Sequence, residues 1–448
     1  MDQPLDSLAD ALLTAARAAG AEAADAIAVA GTSVSVDVRG GALEQAERAE
    51  AVDLGLRVMI GQRQACVASS ETSAETLAEM AERAVAMARE APEDPGVMQA
   101  APDRLATDTD MRRLELDDPA EEPDPAALED AARAAEAAAL AHDGISMVEA
   151  ASATYGRRRV HLATTGGFSA GYARTDSALF CVAITGEGTG MERDFFGESR
   201  AFRADLPAAE EVGRIAAERT LARAGARKPP TGRYPVLYDE RVAAGLIGHL
   251  VAAVNGTAIV RGASWLADAM GQEVLPRGLS LTEEPHRPRV SGSRLYDGEG
   301  LPTAASPLVE DGVLRRWVLD LSTAAKLGLE STANAGRGPS APPSPSAGNL
   351  GLTQGTASRE DLVAQMGTGL LVTSLIGATI NPTTGNYSRG ASGFWVENGE
   401  IAYPVNECTI AGNLREMLRT IVPANDARPH LSRVVPSLIV EGLTLAGA

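Results

Sequence analysis

The chain has 448 residues, with 60 acidic against 40 basic side chains and a formal net charge of −20. That length allows two or three domains with full cores, and the acidity argues against a nucleic-acid partner, which needs clustered positive charge. Apolar residues make up 45% but aromatics only 4%, which predicts Ala-rich helices and small-residue packing.

Helical periodicity over 5–19 ends at Gly20, a residue suited to a left-handed C-terminal cap. Strand-like runs follow at 24–30, 33–39, 53–60 and 63–69, with Gly61-Gln62 as a tight hairpin. Ser70, Thr72 and Ser73 offer caps for a helix over 74–91. Residues 92–124 hold eleven acidic side chains, three arginines and several prolines, so this stretch is expected to be a solvated connection. A helix over 125–142, strands at 146–154, 157–164, 169–174 and 177–186, and a helix at 207–224 complete a first domain, 1–226.

A second, β-rich domain is expected over 227–448, after the run Arg227-Lys-Pro-Pro-Thr-Gly. Its helices are predicted at 239–254 and 358–367. Asp311-Gly312 and Asn398-Gly399 read as hairpin turns. Residues 334–348, rich in Gly, Pro and Ser, read as a mobile loop or binding flap. Strands and helices are grouped and not strictly alternated, so the expected class is α+β with mostly antiparallel sheets.

Three scattered cysteines, Cys66, Cys181 and Cys408, include no CxxC pair and suit a reducing compartment. The start, Met-Asp-Gln-Pro-Leu-Asp, lacks the positive region of a signal peptide. The smoothest apolar run, 366–380, is too short and polar to span a bilayer. The expectation is a soluble, cytoplasmic protein without membrane contact.

The motifs of common catalytic engines are missing: no Walker A loop, no G-x-S-x-G and no HExxH. The glycine-rich run Gly186-Glu-Gly-Thr-Gly190 sits in a hairpin pattern and opens no helix, so it is a poor phosphate cradle. The five histidines, His142, His161, His249, His286 and His430, lie far apart, which excludes a local His-pair zinc site but not one assembled from distant segments. The run Asn381-Pro-Thr-Thr-Gly-Asn-Tyr-Ser-Arg-Gly-Ala-Ser-Gly-Phe-Trp395 is the most unusual. It reads either as a loop whose amides and Arg389 grip an extended peptide or as a tight antiparallel corner with Arg389 paired to a local carboxylate.

Several long segments together resemble the TldD/PmbA family, in its PmbA (TldE) branch. They are Gly55-Leu-Arg-Val, Leu295-Tyr-Asp-Gly-Glu-Gly-Leu-Pro-Thr, Thr384-Gly-Asn-Tyr-Ser-Arg-Gly-Ala-Ser-Gly-Phe-Trp, Tyr403-Pro-Val-Asn-Glu-Cys-Thr-Ile-Ala-Gly-Asn-Leu and Pro436-Ser-Leu-Ile-Val-Glu-Gly-Leu. The resemblance implies one subunit of a cytosolic two-subunit zinc metalloprotease that cuts unfolded peptides, in peptide maturation and antitoxin degradation. TldD-type subunits carry His-Glu-x-x-x-His and a further Cys ligand, and PmbA-type subunits lack a complete metal site.

Placed on this chain, the TldD motif falls at Ala244 to His249, so Ala244 and Gly245 stand where a ligand and the water-activating Glu would be. Positions 244 and 249 also lie about 140° apart around a regular helix. The stretch 435–439 has no Cys, and Cys408 belongs to another motif. The expectations are therefore no catalytic residue, no metal and no cofactor in this chain, with zinc in a TldD-like partner forming a heterodimer. A homodimer in isolation stays open.

The expected contacts to an unfolded peptide are Arg261, Ser264, Asn381, Ser388 and Arg389, with His249 as the motif's remnant. Asp297 and Glu299 are expected to fix a turn. The alternatives are a self-sufficient homodimeric hydrolase using His249, Asp297 and Glu299, or a peptide-binding module without a protease partner.

Overall fold

The structure, a computed structural model, describes residues 4–447. Its first half is built on α1 (Leu5–Ala19), β1 (Ala23–Arg39), β2 (Ala42–Ile60), β3 (Arg63–Ser69), α2 (Ala74–Glu90), α3 (Pro125–Leu140), β4 (Ile145–Thr164), β5 (Ser169–Thr185), β6 (Glu192–Arg200) and α4 (Ala209–Leu221). The strands form one antiparallel sheet in the order β3-β2-β1-β4-β5-β6. Strand pairs expected as separate pieces are continuous: 24–30 and 33–39 are one strand, and so are 146–154 with 157–164. The outer half of β2, over 42–52, and all of β6 were not expected. Their Glu, Ala and Arg residues do not favour strands, and pairing along β1 and β5 decides their form.

Alternation along β1 assigns its residues to three cores. Ala24, Ala26 and Ala28 pack beneath α1 and α2 with Leu8, Leu12, Met80 and Ala84. Farther along the same strand, Val34, Val36 and Val38 pack beneath α3 and α4. On the opposite face, Ile27 and Val29 meet Met111, Leu114, Leu116, Phe168 and Tyr296. The acidic stretch 92–124 is thus no solvated connection. Its charges face outward, while its few apolar side chains are buried as a cover over β1. Asp110 caps the short turn Met111–Leu114 that delivers two of them.

The second half contains β7 (Gly232–Tyr238), α5 (Glu240–Ala253), α6 (Gly256–Val260), β8 (Leu281–Glu283), β9 (Ser306–Glu310), β10 (Val313–Leu314), α7 (Leu321–Leu327), β11 (Ala335–Gly336), β12 (Ser344–Pro345) and β13 (Leu350–Leu352). These are followed by α8 (Arg359–Met366), β14 (Gly369–Ile380), β15 (Asn386–Glu397), β16 (Glu400–Asn413), α9 (Leu414–Leu418), β17 (Val422–Pro423), β18 (Arg433–Val434) and β19 (Leu438–Ala446). Its main sheet runs β16-β15-β14-β7-β19-β17, with β16 also pairing β19. The pairings are antiparallel except β14 with β7. The fold is α+β. Asp311 and Asn398 adopt positive φ, 47° and 53°, and make the two expected hairpin turns.

Helix α5 buries Ala243, Leu246, Ile247, Leu250 and Val251 in the largest core. These positions recur at i, i+3, i+4, i+7 and i+8, one face of a helix. Asp239 caps it by accepting the Arg241 N–H. Among the described residues no helix is long and apolar enough to cross a membrane.

Residues 334–348, expected as a mobile loop, are tied down at several points. Ala335 and Gly336 pair with Pro345 and Ser344. The Ala335 N–H donates to Asp297, and the Arg337 side chain, 2% exposed, bonds Asp25 of β1. Gly55 of β2 lies so close that a Cβ there would fall 2.3 Å from the Pro339 carbonyl oxygen. Segments that carried the family resemblance, around Gly55 and around Asp297, thus both meet residues 334–348, from opposite halves of the chain.

Candidate functional site

The segment 381–395 is neither one loop nor one corner. It is a turn over 381–385 that runs straight into β15. The Asn381 side chain is spent on this turn, accepting the Thr383 and Thr384 N–H groups, and the Gly385 N–H closes it on the Asn381 carbonyl. The Trp265 N–H donates to the Pro382 carbonyl, which brings the Arg261–Ser264 region beside the turn. Ser264 is buried at 6% exposure; its hydroxyl donates to the Ala253 carbonyl and accepts from the Leu266 N–H. Ser264 therefore positions backbone from a buried site, and Asn381 spends its side-chain oxygen on the turn while its amide nitrogen stays exposed. Arg261 is exposed at the end of α6.

From Asn386 to Ala391, β15 pairs with β16 without a bulge. Side chains alternate, so Tyr387, Arg389 and Ala391 share one face, and Ser388 lies on the other. Adjacent in sequence, Ser388 and Arg389 cannot address the same small group. The face of Tyr387 is the one turned to α5: the Tyr387 and His249 rings meet edge to face with centroids 5.9 Å apart.

His249, Tyr387, Arg389 and Tyr238 form one cluster. Burial and the Arg389 charge hold the His249 imidazolium below its ordinary range, so the ring is neutral at neutral pH. Burial raises the Tyr387 hydroxyl and, well beyond that, the fully buried Tyr238 hydroxyl beside it. The Tyr238 hydroxyl faces Tyr387 but has no partner in hydrogen-bonding geometry among the described residues. Arg389 is half-buried, its Nε is inaccessible and unbonded, and no carboxylate pairs with it among the described residues. Of the two readings of Arg389, internal pairing is the one without support. Tyr238 was missed from the sequence, because nothing local distinguishes a tyrosine ending a buried strand.

These residues do not fit zinc. Ala244 packs partly against the core, and Gly245 is exposed, with nothing within 4 Å of where a Cβ would stand. His249 is then one donor beside a cation, where a structural or catalytic zinc site takes three or four donors. No group of three or more His, Cys, Asp or Glu among the described residues is placed to hold a metal. Cys408 is buried, donates to the Ala391 carbonyl, and burial pushes its thiol up to about 11.

Asp297 and Glu299 do not join this cluster. Asp297, 2% exposed, accepts the N–H groups of Glu299, Leu301 and Ala335, and Glu299 accepts that of Leu321. No hydrogen bond or ion pair links either to His249 among the described residues. Their oxygens hold backbone, as expected for a turn.

Family models for the PmbA/TldA metallopeptidases match in three parts: domain 1 over residues 24–88, the central domain over 118–224 and the C-terminal domain over 231–447. The chain is 37% identical over 419 residues to the metalloprotease PmbA of Escherichia coli O157:H7, covering 93% of this chain and 90% of that one. It is 34% identical over 432 residues to a PmbA homologue of Haemophilus influenzae, covering 96% and 93%. A crystal structure from Bacteroides thetaiotaomicron, described as a candidate modulator of DNA gyrase, superposes with a TM-score of 0.91 at 25% identity, over 99% of this chain and 98% of that one. TldE from Thermococcus kodakarensis shares the fold, with a TM-score of 0.85 at 20% identity, over 98% and 100%.

Proposed function

Because the chain belongs to the PmbA/TldD metallopeptidase family, we propose that it is the non-catalytic, TldE-like subunit of a two-chain metalloprotease. In this reading a TldD-like partner supplies the zinc and the water-activating carboxylate. This chain closes the cavity and holds an unfolded peptide in the cytoplasm. One observation carries the reading: where the family's metal motif would fall, α5 carries Ala244, an open Gly245 and a lone His249 next to the cation of Arg389. A TldD homologue of Buchnera aphidicola is 25% identical over 252 residues, 54% of this chain and 50% of that one, in keeping with two related subunits.

The remaining work of the chain is recognition. β15 is paired on both sides, to β14 and β16, so it offers a peptide no strand edge; what it presents is the turn at its start, beside exposed Arg261, and the side chains of its α5-facing surface. The test is purification from the native host with identification of any stoichiometric partner, then assay of the separate and recombined chains on an unfolded protein. The expected result is activity only on recombination. A chain that cleaves alone, with chelator-sensitive activity and one tightly held zinc, overturns the proposal.

A further inference from the structure

We propose that the space between α5 and β15 is a carboxylate-binding subsite, with Arg389 as its counter-charge and His249 and Tyr387 as its walls. This rests on the peptide-binding reading above and names the group that reading leaves open. The argument begins with electrostatic balance. Arg57, Arg223, Arg241, Arg294, Arg316 and Arg337 are all largely buried, and each meets a carboxylate within 4.0 Å. Arg389 meets none among the described residues, in a chain whose formal charge is −20. The Nε of Arg389 is inaccessible and unbonded, so that donor has lost water without gaining a protein partner. An anionic ligand would supply the missing partner.

The facing helix leaves room for one. Gly245 has open space where a side chain would begin, and His249, one turn on, shares its face. A second arginine, Arg433, reaches α5 at Gly248, with Nη1 2.8 Å from where a Cβ would stand, and it too lacks a carboxylate partner among the described residues. The hydroxyl of Tyr238, fully buried, faces that of Tyr387. Guanidinium with hydroxyl donors is the chemistry that receives a planar carboxylate in two parallel hydrogen bonds. On a peptide, that group is either the terminal carboxylate or an Asp or Glu side chain.

Three probes on the full chain decide the matter by calorimetry. The first is an N-acetylated hexapeptide of Gly, Ala and Ser with a free terminal carboxylate. The second is its C-terminal amide, and the third is the amide with one internal Glu. The free acid is expected to bind roughly tenfold to a hundredfold more tightly than the plain amide, the scale of one hydrogen bond to a charged group. Recovery of affinity in the Glu-containing amide assigns the subsite to acidic side chains, and no recovery assigns it to the chain terminus.

Arg389→Gln should erase the difference between acid and amide, and Arg389→Lys should retain part of it. As a site reporter, the His249 ring resonances, assigned with His249→Gln, should move with the acid in the wild type and stay still in Arg389→Gln. Equal binding of acid and amide, binding of neither, or an acid preference that survives in Arg389→Gln overturns the proposal. Should Arg389→Gln fail to fold, the acid–amide comparison on the wild type decides alone. The experiment needs no partner subunit. Failure of recombination therefore removes the proposed function, whereas failure here removes only the carboxylate.

Discussion

Arginine serves two opposite purposes in this molecule. At Asp25, two guanidiniums converge on one carboxylate from different parts of the chain. Arg57 Nε lies 2.6 Å from one oxygen and Arg337 Nη2 2.8 Å from the other, and all three side chains are at most 7% exposed. The leftover donors are used as well: Arg57 bonds the Met98 carbonyl, and Arg337 those of Gly338 and Ala341. At Arg389 the guanidinium has neither carboxylate nor carbonyl among the described residues. The first arrangement is closed and joins the N-terminal sheet to the segment 334–348. The second is open, and an open cation can take a ligand only because nothing inside the protein already fills it.

The largest expected effect comes from breaking the closed arrangement. Asp25→Ala leaves two buried cations facing each other, and removing one partner of a buried pair costs roughly 3–5 kcal/mol. Urea unfolding should show that loss, and trypsin should begin to cut at Arg337, which the native pairing shields. A next step attacks the same contact sterically. Gly55→Ala places a methyl against the Pro339 backbone, which is expected to cost about 1–3 kcal/mol as overpacking, again with faster cleavage at Arg337. By contrast Arg389→Gln removes a charge with no internal partner, so unfolding free energy should stay within about 0.5 kcal/mol of wild type. A loss at Arg389 comparable to that at Asp25 would mean that the two sites do not differ as described.

The parts of this fold legible in the sequence are those fixed locally. Asn398-Gly399 and Asp311-Gly312 demand positive φ, so both hairpins could be placed, and α5 announces itself by its apolar spacing. The long ribbons could not be placed whole. Gly31 and Thr32 resemble a turn inside β1, and only pairing to β2 on one side and β4 on the other carries the strand through them. The stretch 92–124 misled because charge was counted over the whole segment, whereas three spaced side chains, Met111, Leu114 and Leu116, suffice to cover β1. At the site, Arg389 was visible in the unusual run 381–395, and the degenerate helix motif through family resemblance. Whether Arg389 has a partner is a property of the whole charge distribution and of no local pattern. Ser264 and Asn381 had the chemistry of ligand contacts, yet the Ser264 hydroxyl and the Asn381 amide oxygen satisfy nearby backbone.

A last test applies the same contrast with the sign reversed, at an acid without a cationic partner among the described residues. Burial pushes the Glu299 carboxyl well above its usual range, and the neighbouring Asp297 adds to this. The backbone N–H of Leu321 opposes the shift and does not outweigh it. A carboxyl raised in the folded state binds its proton more tightly there than when unfolded. Stability is therefore greatest below the unfolded value, about 4.3 for Glu, and falls as pH rises through the folded one. Glu299→Gln keeps an acceptor for the Leu321 N–H and removes the titration. The variant should unfold at higher urea than wild type near about pH 8, and the advantage should shrink toward about pH 4.5. Were Glu299 instead ionised and held by Arg57, the order would reverse: the Gln variant would be less stable at high pH and the gap would close on acidification. Unfolding midpoints of both proteins across that range separate the two cases, and a gap that does not vary with pH would show that the charge of Glu299 is not what the fold bears.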